Sequence, residues 1–287
     1  MPDLSVSIVI PCHNDGAYLR ESLASAFAQT AQNTEIILVD DGSTDPDTIE
    51  LIRELSTDPR LIVIRSQQCQ GPAAARNHAI RQAKGSFILP LDADDFIMPT
   101  YVEKACALLE GDSRLEIVYC RVRWFGLARG EWKLPAFDAE KFVLENTIFA
   151  TSMFRRTTWE AVGGYRENMI DGMEDYDFWM KILAIGGSVH QIDEPLFHYR
   201  VKPKSRTARL KDENRAVERR AYRTLFENNI EYFCRPENVR IIYFSLLARL
   251  RAEKDQRSSF LWRLLFRHFV RLELIVQTWI KRMVGRA

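Results

Sequence analysis

Two aspartates on alternate residues, Asp92 and Asp94, follow directly on the apolar run Phe87–Leu91. A pair so placed suits a hard cation such as Mg2+ or Mn2+, which takes oxygen ligands and shares them with phosphate. A solvated turn is the plainer use of the same residues. Asp40, in Asp40-Asp41-Gly42-Ser43, either closes an Asx turn or accepts the imide N–H of a uracil or thymine ring. Glu174 and Asp175 head a run carrying Phe178, Trp179, Ile182 and Leu183. Acids in a first helical turn complement the helix dipole. A carboxylate held there could also take the proton of an acceptor hydroxyl as a general base. His198, in the alternating run Leu196–Arg200, is either a structural residue or a ring-nitrogen donor to a metal. Arg76 lies on a helix opened by Gly71-Pro72, where it is a surface residue or a contact to a diphosphate and base, near N–H groups that would themselves receive an anion.

These residues need a scaffold that brings them to one edge. From residue 5 to about 122, short β-branched runs alternate with helical stretches: Val6–Ile10, Glu35–Val39, Leu61–Ile64, Phe87–Leu91 and Ile117–Val122. That alternation predicts βαβ units and a doubly wound, mostly parallel α/β sheet. Leu19, Leu23, Ala26 and Phe27 form one apolar helical stripe between the first two runs. Pro46, Pro72 and Pro99 mark helix first turns, and Gly85 is expected as a C-cap glycine. In such a sheet, ligands bind outside the carboxyl ends of the strands, where strand order reverses. Pro11-Cys12-His13-Asn14-Asp15, Asp40–Asp45 and Asp92–Asp95 all stand at strand ends. Carboxylates crowded there repel unless cations or donors lie between them.

Residues 123–205 read as an acceptor half: aromatic and irregular, with a stop at Gly163-Gly164 and a helix from about Glu174 to Ile185. Residues 206–287 read as a helical extension, with segments near 211–229, 237–253 and 257–284. The chain carries 40 Lys and Arg against 39 Asp and Glu, a net charge of +1, which gives no global pull toward nucleic acid. The basic surplus sits in residues 240–287, where eleven basic residues face three acids. Five scattered cysteines without a CxxC pair argue against a disulfide framework or structural zinc and point to a reducing, cytoplasmic setting. Nothing before the first strand resembles a signal peptide.

In the last segment Leu261, Leu264, Leu265, Leu272, Ile275, Val276 and Trp279 fall at helical spacing beside Arg263, Arg267 and Arg271. The uncharged stretch Leu274–Ile280 is far short of the roughly 20 residues of a spanning helix. Such a helix lies on a membrane surface, pairs in a homodimer or packs on the catalytic domain.

Together the segments VSIVIPCHND with Tyr18-Leu19, EIILVDDGSTD, GPAAARN, KGSFILPLDADD, VGGY, GMEDYDFW and LFHYR with Ser205 resemble, in order and spacing, the glycosyltransferase family 2 pattern of the GT-A fold, over about residues 4–205. The resemblance implies an inverting transfer of sugar from a nucleotide-diphosphate donor, most commonly a UDP-sugar, to a hydroxyl of a carbohydrate or lipid-linked acceptor, with Mn2+ or Mg2+. It implies that Pro11, Asp15, Asp40 and Arg76 line the nucleotide pocket, that Asp92 meets ribose or metal, and that Asp94 binds the metal. His198 would complete metal binding, Asp175 would be the catalytic base and Glu174 would stand beside it on the acceptor side. His13 departs from the pattern, standing where many members carry an aromatic residue. A sugar-1-phosphate nucleotidyltransferase would instead want a glycine-rich, Arg-bearing loop after the first strand. A nucleotide-sugar-binding protein without turnover would have little use for Asp92, Asp94 and Asp175 together.

Overall fold

The structure is a computed structural model, and it describes residues 5–133, 135–202 and 215–256. The first half alternates as the sequence requires: β1 (Val6–Cys12), α1 (Gly16–Phe27), β2 (Thr34–Asp41), α2 (Pro46–Leu55), β3 (Leu61–Ser66), α3 (Pro72–Gln82) and β4 (Phe87–Pro90). These strands are parallel and lie in the order β3-β2-β1-β4. Val6, Ile8, Val9 and Ile10 are wholly buried, as strands covered on both faces must be. Leu19, Leu23 and Ala26 bury the inner stripe of α1. Chain order reverses between β1 and β4, so their carboxyl ends open the crevice.

The second half is β5 (Phe96–Ile97), α4 (Tyr101–Gly111), β6 (Leu115–Gly126), β7 (Gly130–Trp132), α5 (Ala139–Phe142), β8 (Met153–Arg155), α6 (Arg156–Ala161), α7 (Glu174–Ala184) and β9 (Ser188–Val201). The sheet continues β4-β8-β6-β9-β5, with β7 paired to β6. Three-residue β8 runs antiparallel to both β4 and β6 and joins the halves, while β6 and β9 pair in parallel over most of their length.

Two expectations are corrected. Helix α3 ends at Gln82, and Gly85 has no left-handed backbone; a Cβ there would stand 2.6 Å from the Ser7 nitrogen, so this glycine permits the chain to approach β1. Pro99 precedes the N-cap Thr100 of α4 rather than entering its first turn.

The chain divides into two compact units, residues 1–230 and 231–287. The first includes α8 (Ala216–Asn228), which is bonded to the region around α7: Arg220 donates twice to Asp171 at 3.0 Å, and the following Asn229 donates to Asp177 at 2.7 Å. The division falls after the first residue of α9 (Ile230–Phe233), and the second unit contains α10 (Pro236–Gln256). The boundary expected at 205/206, Ser205 and the amphipathic segment 258–284 lie outside the described residues. No helix among the described residues is long and apolar enough to cross a membrane.

Candidate active site

At the crevice, β1 and β2 end in register, Cys12 opposite Asp40, and the loops beyond them are tied by side chains. Asn14 accepts from the Thr44 and Asp45 nitrogens at 2.8 and 2.9 Å, and His13 Nδ1 lies 2.9 Å from the Asp41 carbonyl oxygen. Asp40, buried, accepts from the Ser43 nitrogen at 2.9 Å through Oδ1, which is the Asx turn; Pro11 lies half-buried just before it on the neighbouring strand. Asp41 clasps the loop before α3, accepting from the Gln70 and Gly71 nitrogens at 2.9 and 2.8 Å.

Arg76 is not a surface residue: its side chain is 2% exposed. Nη2 donates to Asp92 Oδ1 at 2.7 Å and Nη1 to Glu174 Oε1 at 2.9 Å. One guanidinium therefore joins the strand-four carboxylate to the first residue of α7. Its contact to a nucleotide would have to be made from within this double ion pair.

Helix α7 is launched by two successive left-handed residues, Gly172 (φ 118°) and Met173 (φ 65°), and has no side-chain N-cap. Asp175 accepts from Asn146 Nδ2 at 3.0 Å through Oδ2. Burial, and then the Glu174 charge, push its carboxyl up to about 6 against the pull of Arg76. That value suits a general base near neutral pH.

The Asp92–Asp95 turn gathers further charge. Burial and the Asp92 charge raise Asp94, and burial with the Asp94 charge holds Asp95 well above the ordinary carboxylate range. The counter-charges come from Arg200 on β9 and Lys202 just beyond it, neither of which the sequence pattern assigns a role. Arg200 donates its backbone N–H to Asp95 Oδ1 and its Nε to the Asp94 carbonyl oxygen, each at 2.7 Å, and pairs with Glu21. Lys202 Nζ stands 2.5 Å from Asp15 Oδ1 and 2.8 Å from Asp94 Oδ2. The signal was present as His198, Arg200 and Lys202 at a spacing of two, one face of a strand.

The His198 ring stacks on Phe96, 4.4 Å between centroids, and its buried Nδ1 has no hydrogen-bond partner among the described residues. Burial, then Arg123, lower its pKa, so the ring is neutral. Among the described residues no three His, Cys, Asp and Glu side chains converge as a metal-holding group; Asp92, Asp94 and His198 are therefore not gathered at one point. The hard oxygens of Asp92 and Asp94 and the orphaned neutral imidazole nitrogen nonetheless fit the chemistry of Mg2+ or Mn2+.

Over residues 7–170 the chain matches Glycosyl transferase family 2. It is 32% identical over 190 residues to a chondroitin synthase of Escherichia coli, covering 64% of this chain and 27% of that protein. A hyaluronan synthase of Pasteurella multocida is 32% identical over 189 residues, 64% of this chain and 19% of that protein. The match thus spans about a quarter or less of these relatives. Among solved structures, Staphylococcus aureus TarS 1–349 in complex with UDP-GlcNAc superposes with a TM-score of 0.68 at 18% identity, over 83% of this chain and 70% of that one. The mannosyltransferase PcManGT of Pyrobaculum calidifontis in complex with GDP-Man and Mn2+ gives 0.58 at 21%, over 96% and 82%.

Proposed function

The chain belongs to glycosyl transferase family 2 and is a glycosyltransferase of GT-A type fold, and from that premise we propose that it moves a sugar, with inversion, from a UDP-sugar to an acceptor hydroxyl in polysaccharide or glycoconjugate synthesis. The observation that carries the reading is Arg76, which couples Asp92 on the donor side to Glu174 beside a base, Asp175, held near pH 6. Pro11, Asp15 and Asp40 would line the nucleotide pocket, with Oδ1 of Asp40 already committed to its turn. Residues 1–205 would form the catalytic domain and 206–287 its helical extension, the first helix of which is bonded to the α7 region.

As the glycosidic bond breaks, negative charge grows on the diphosphate and positive charge on the ring. Asp94 would hold a divalent ion, with Asp92 and His198 as further donors only once drawn in from the separate positions they have here, and such an ion supplies stabilisation of the leaving diphosphate. Mn2+ bound to one structural neighbour supports that assignment. Asp175 takes the proton from the incoming hydroxyl on the opposite ring face, which is worth about 10²–10⁴-fold. A single displacement inverts the anomeric centre. The acceptor is a carbohydrate or lipid-linked glycan, and the protein works in the cytoplasm, docked on the inner membrane face through its amphipathic tail.

The test is Asp94→Asn assayed with a panel of nucleotide sugars, with and without Mn2+. Transfer should vanish in the variant and in the chelated native enzyme, and full activity in excess EDTA would refute the metal assignment. Sedimentation with anionic liposomes, lost at high salt and on removal of residues 256–287, tests the membrane assignment; a dimer broken by the same truncation would replace it.

A further inference from the structure

Six carboxylates, Asp15, Glu21, Asp92, Asp94, Asp95 and Glu174, share three cations: Arg76, Arg200 and Lys202. The cations are not equivalent. Arg76 is buried and forked between two fixed partners. Arg200 is tied at its own backbone N–H as well as at its guanidinium, and lies over the rings of Tyr18 and Phe125 at 4.6 and 4.2 Å. Lys202 is a compact point charge on a flexible four-carbon stem. Its side chain is 16% exposed, its ammonium pairs among the described residues with side-chain oxygens of Asp15 and Asp94, and it faces the Tyr18 ring at 5.3 Å.

Asp94 Oδ2, held by Lys202, is one of the two oxygens open to a divalent ion on Asp94. An ammonium and a divalent ion at contact distance of the same oxygen repel one another. We propose that Lys202 is a built-in counter-ion of the donor carboxylates: it neutralises Asp15 and Asp94 when no donor is bound, and a divalent cation must displace it from Asp94. The inference rests on the assignment of the metal to Asp94. Its consequence is coupling. Metal alone must push the ammonium off Asp94 and leave it with Asp15 as its one remaining carboxylate here, whereas metal arriving with a nucleoside diphosphate brings phosphate oxygens to replace the lost contact. Metal and donor therefore enter together, by mutual reinforcement of the kind that changes affinity by about 5–150-fold.

Mn2+ binding, followed by electron paramagnetic resonance of the free ion, tests this without turnover. In the native protein Mn2+ should bind weakly alone and much more tightly with UDP. In Lys202→Met, or Lys202→Gln should the first variant fail to fold by circular dichroism, nucleotide-free Mn2+ affinity should rise about tenfold or more and the UDP effect should shrink. Lys202→Arg should stay native-like. Lys104→Met, which makes the same change of net charge at a residue paired with Glu194, should not alter Mn2+ affinity. Equal tightening in Lys104→Met, or none in Lys202→Met, overturns the inference. Asp94→Asn separates the two readings: binding lost there but unchanged in Lys202→Met overturns the counter-ion alone, whereas binding retained in Asp94→Asn removes the metal assignment and this inference with it.

Discussion

The two halves of the catalytic unit hold their carboxylates in different ways. At the end of β2 and in the loop after it the acids are fixed largely by backbone, Asp40 by its own turn, Asp45 by capping α2 through the Thr48 nitrogen and Asp41 by the loop before α3, while Asp92 and Asp94 of the same half already lean on Arg76 and Lys202. In residues 123–201 they are fixed by side chains far away in sequence: Glu174 by Arg76, Asp175 by Asn146, Asp177 by Arg166 and Asn229. Backbone fixing holds a carboxylate rigidly. Side-chain fixing leaves it tunable, and Asp175, the base proposed above, is raised to about 6.

Removing that tuned group should have the largest effect. Asp175→Asn keeps the shape of the side chain, so UDP-sugar affinity should survive while kcat falls by about 10²–10⁴. The native kcat/KM should rise with pH through about 6, because the base works only when deprotonated and its pKa is raised to that value. An acid limb that persists unchanged in the Asn variant would assign the titration to another group. A variant that binds donor poorly but turns over normally at saturation would make Asp175 a helix cap.

Arg76→Met attacks a buried side chain that spans the comparison. It strips the cation from Asp92 and buried Glu174, and breaking a buried pair in this way costs about 3–5 kcal/mol. Chemical denaturation should report that loss, and Glu174→Gln in the same chain should restore part of it. A loss below about 1 kcal/mol would place the pair among solvent-screened ones.

The same contrast explains what could be read from the sequence. The parallel strands were legible because each βα unit is local and its period visible, and with them the placement of Asp40, Asp92 and Asp94 at strand ends; Asp175 was legible as a first-turn acid of the helix whose apolar run follows it. β8 was not: Met153–Arg155 is three residues long, and its strand character comes from its neighbours β4 and β6 rather than from any pattern of its own. Lys202 was passed over because it precedes Pro203 in a stretch that reads as a linker. The burial of Arg76 was hidden because three alanines before it carry no sign of the acids that close over it.

A smaller effect is expected from Gly42→Ala, which probes the backbone-fixed half. Gly42 has φ 65°, and an added Cβ would lie 2.5 Å from the Cys69 nitrogen and the Gln68 carbonyl carbon, both backbone atoms. Strain of this kind costs on the order of 1–3 kcal/mol. The variant should melt several degrees lower and bind UDP more weakly, since the displaced loop follows Asp40. A native melting temperature would show that the loop shifts freely, and that it is held less rigidly than its hydrogen bonds imply.

The smallest expected change has the opposite sign. Met173 is a non-glycine residue at φ 65° on the threshold of α7, where α2 has the capping side chain of Asp45. Left-handed backbone costs an L-residue roughly 1–2 kcal/mol, which glycine avoids. Glycine also adds freedom to the unfolded chain, by about 0.4–1 kcal/mol against the native state. The difference predicts that Met173→Gly raises stability by about 0.5–1 kcal/mol, read as a small upward shift in the denaturation midpoint at unchanged slope. The informative readout is kinetic. If the strained turn holds Glu174 and Asp175 in register with Arg76, the more stable variant should turn over more slowly at saturating donor while binding UDP as before. Gain of stability with native kcat would mean that the register of α7 is set by the Arg76 and Asn146 contacts alone, and that the left-handed pair merely starts the helix.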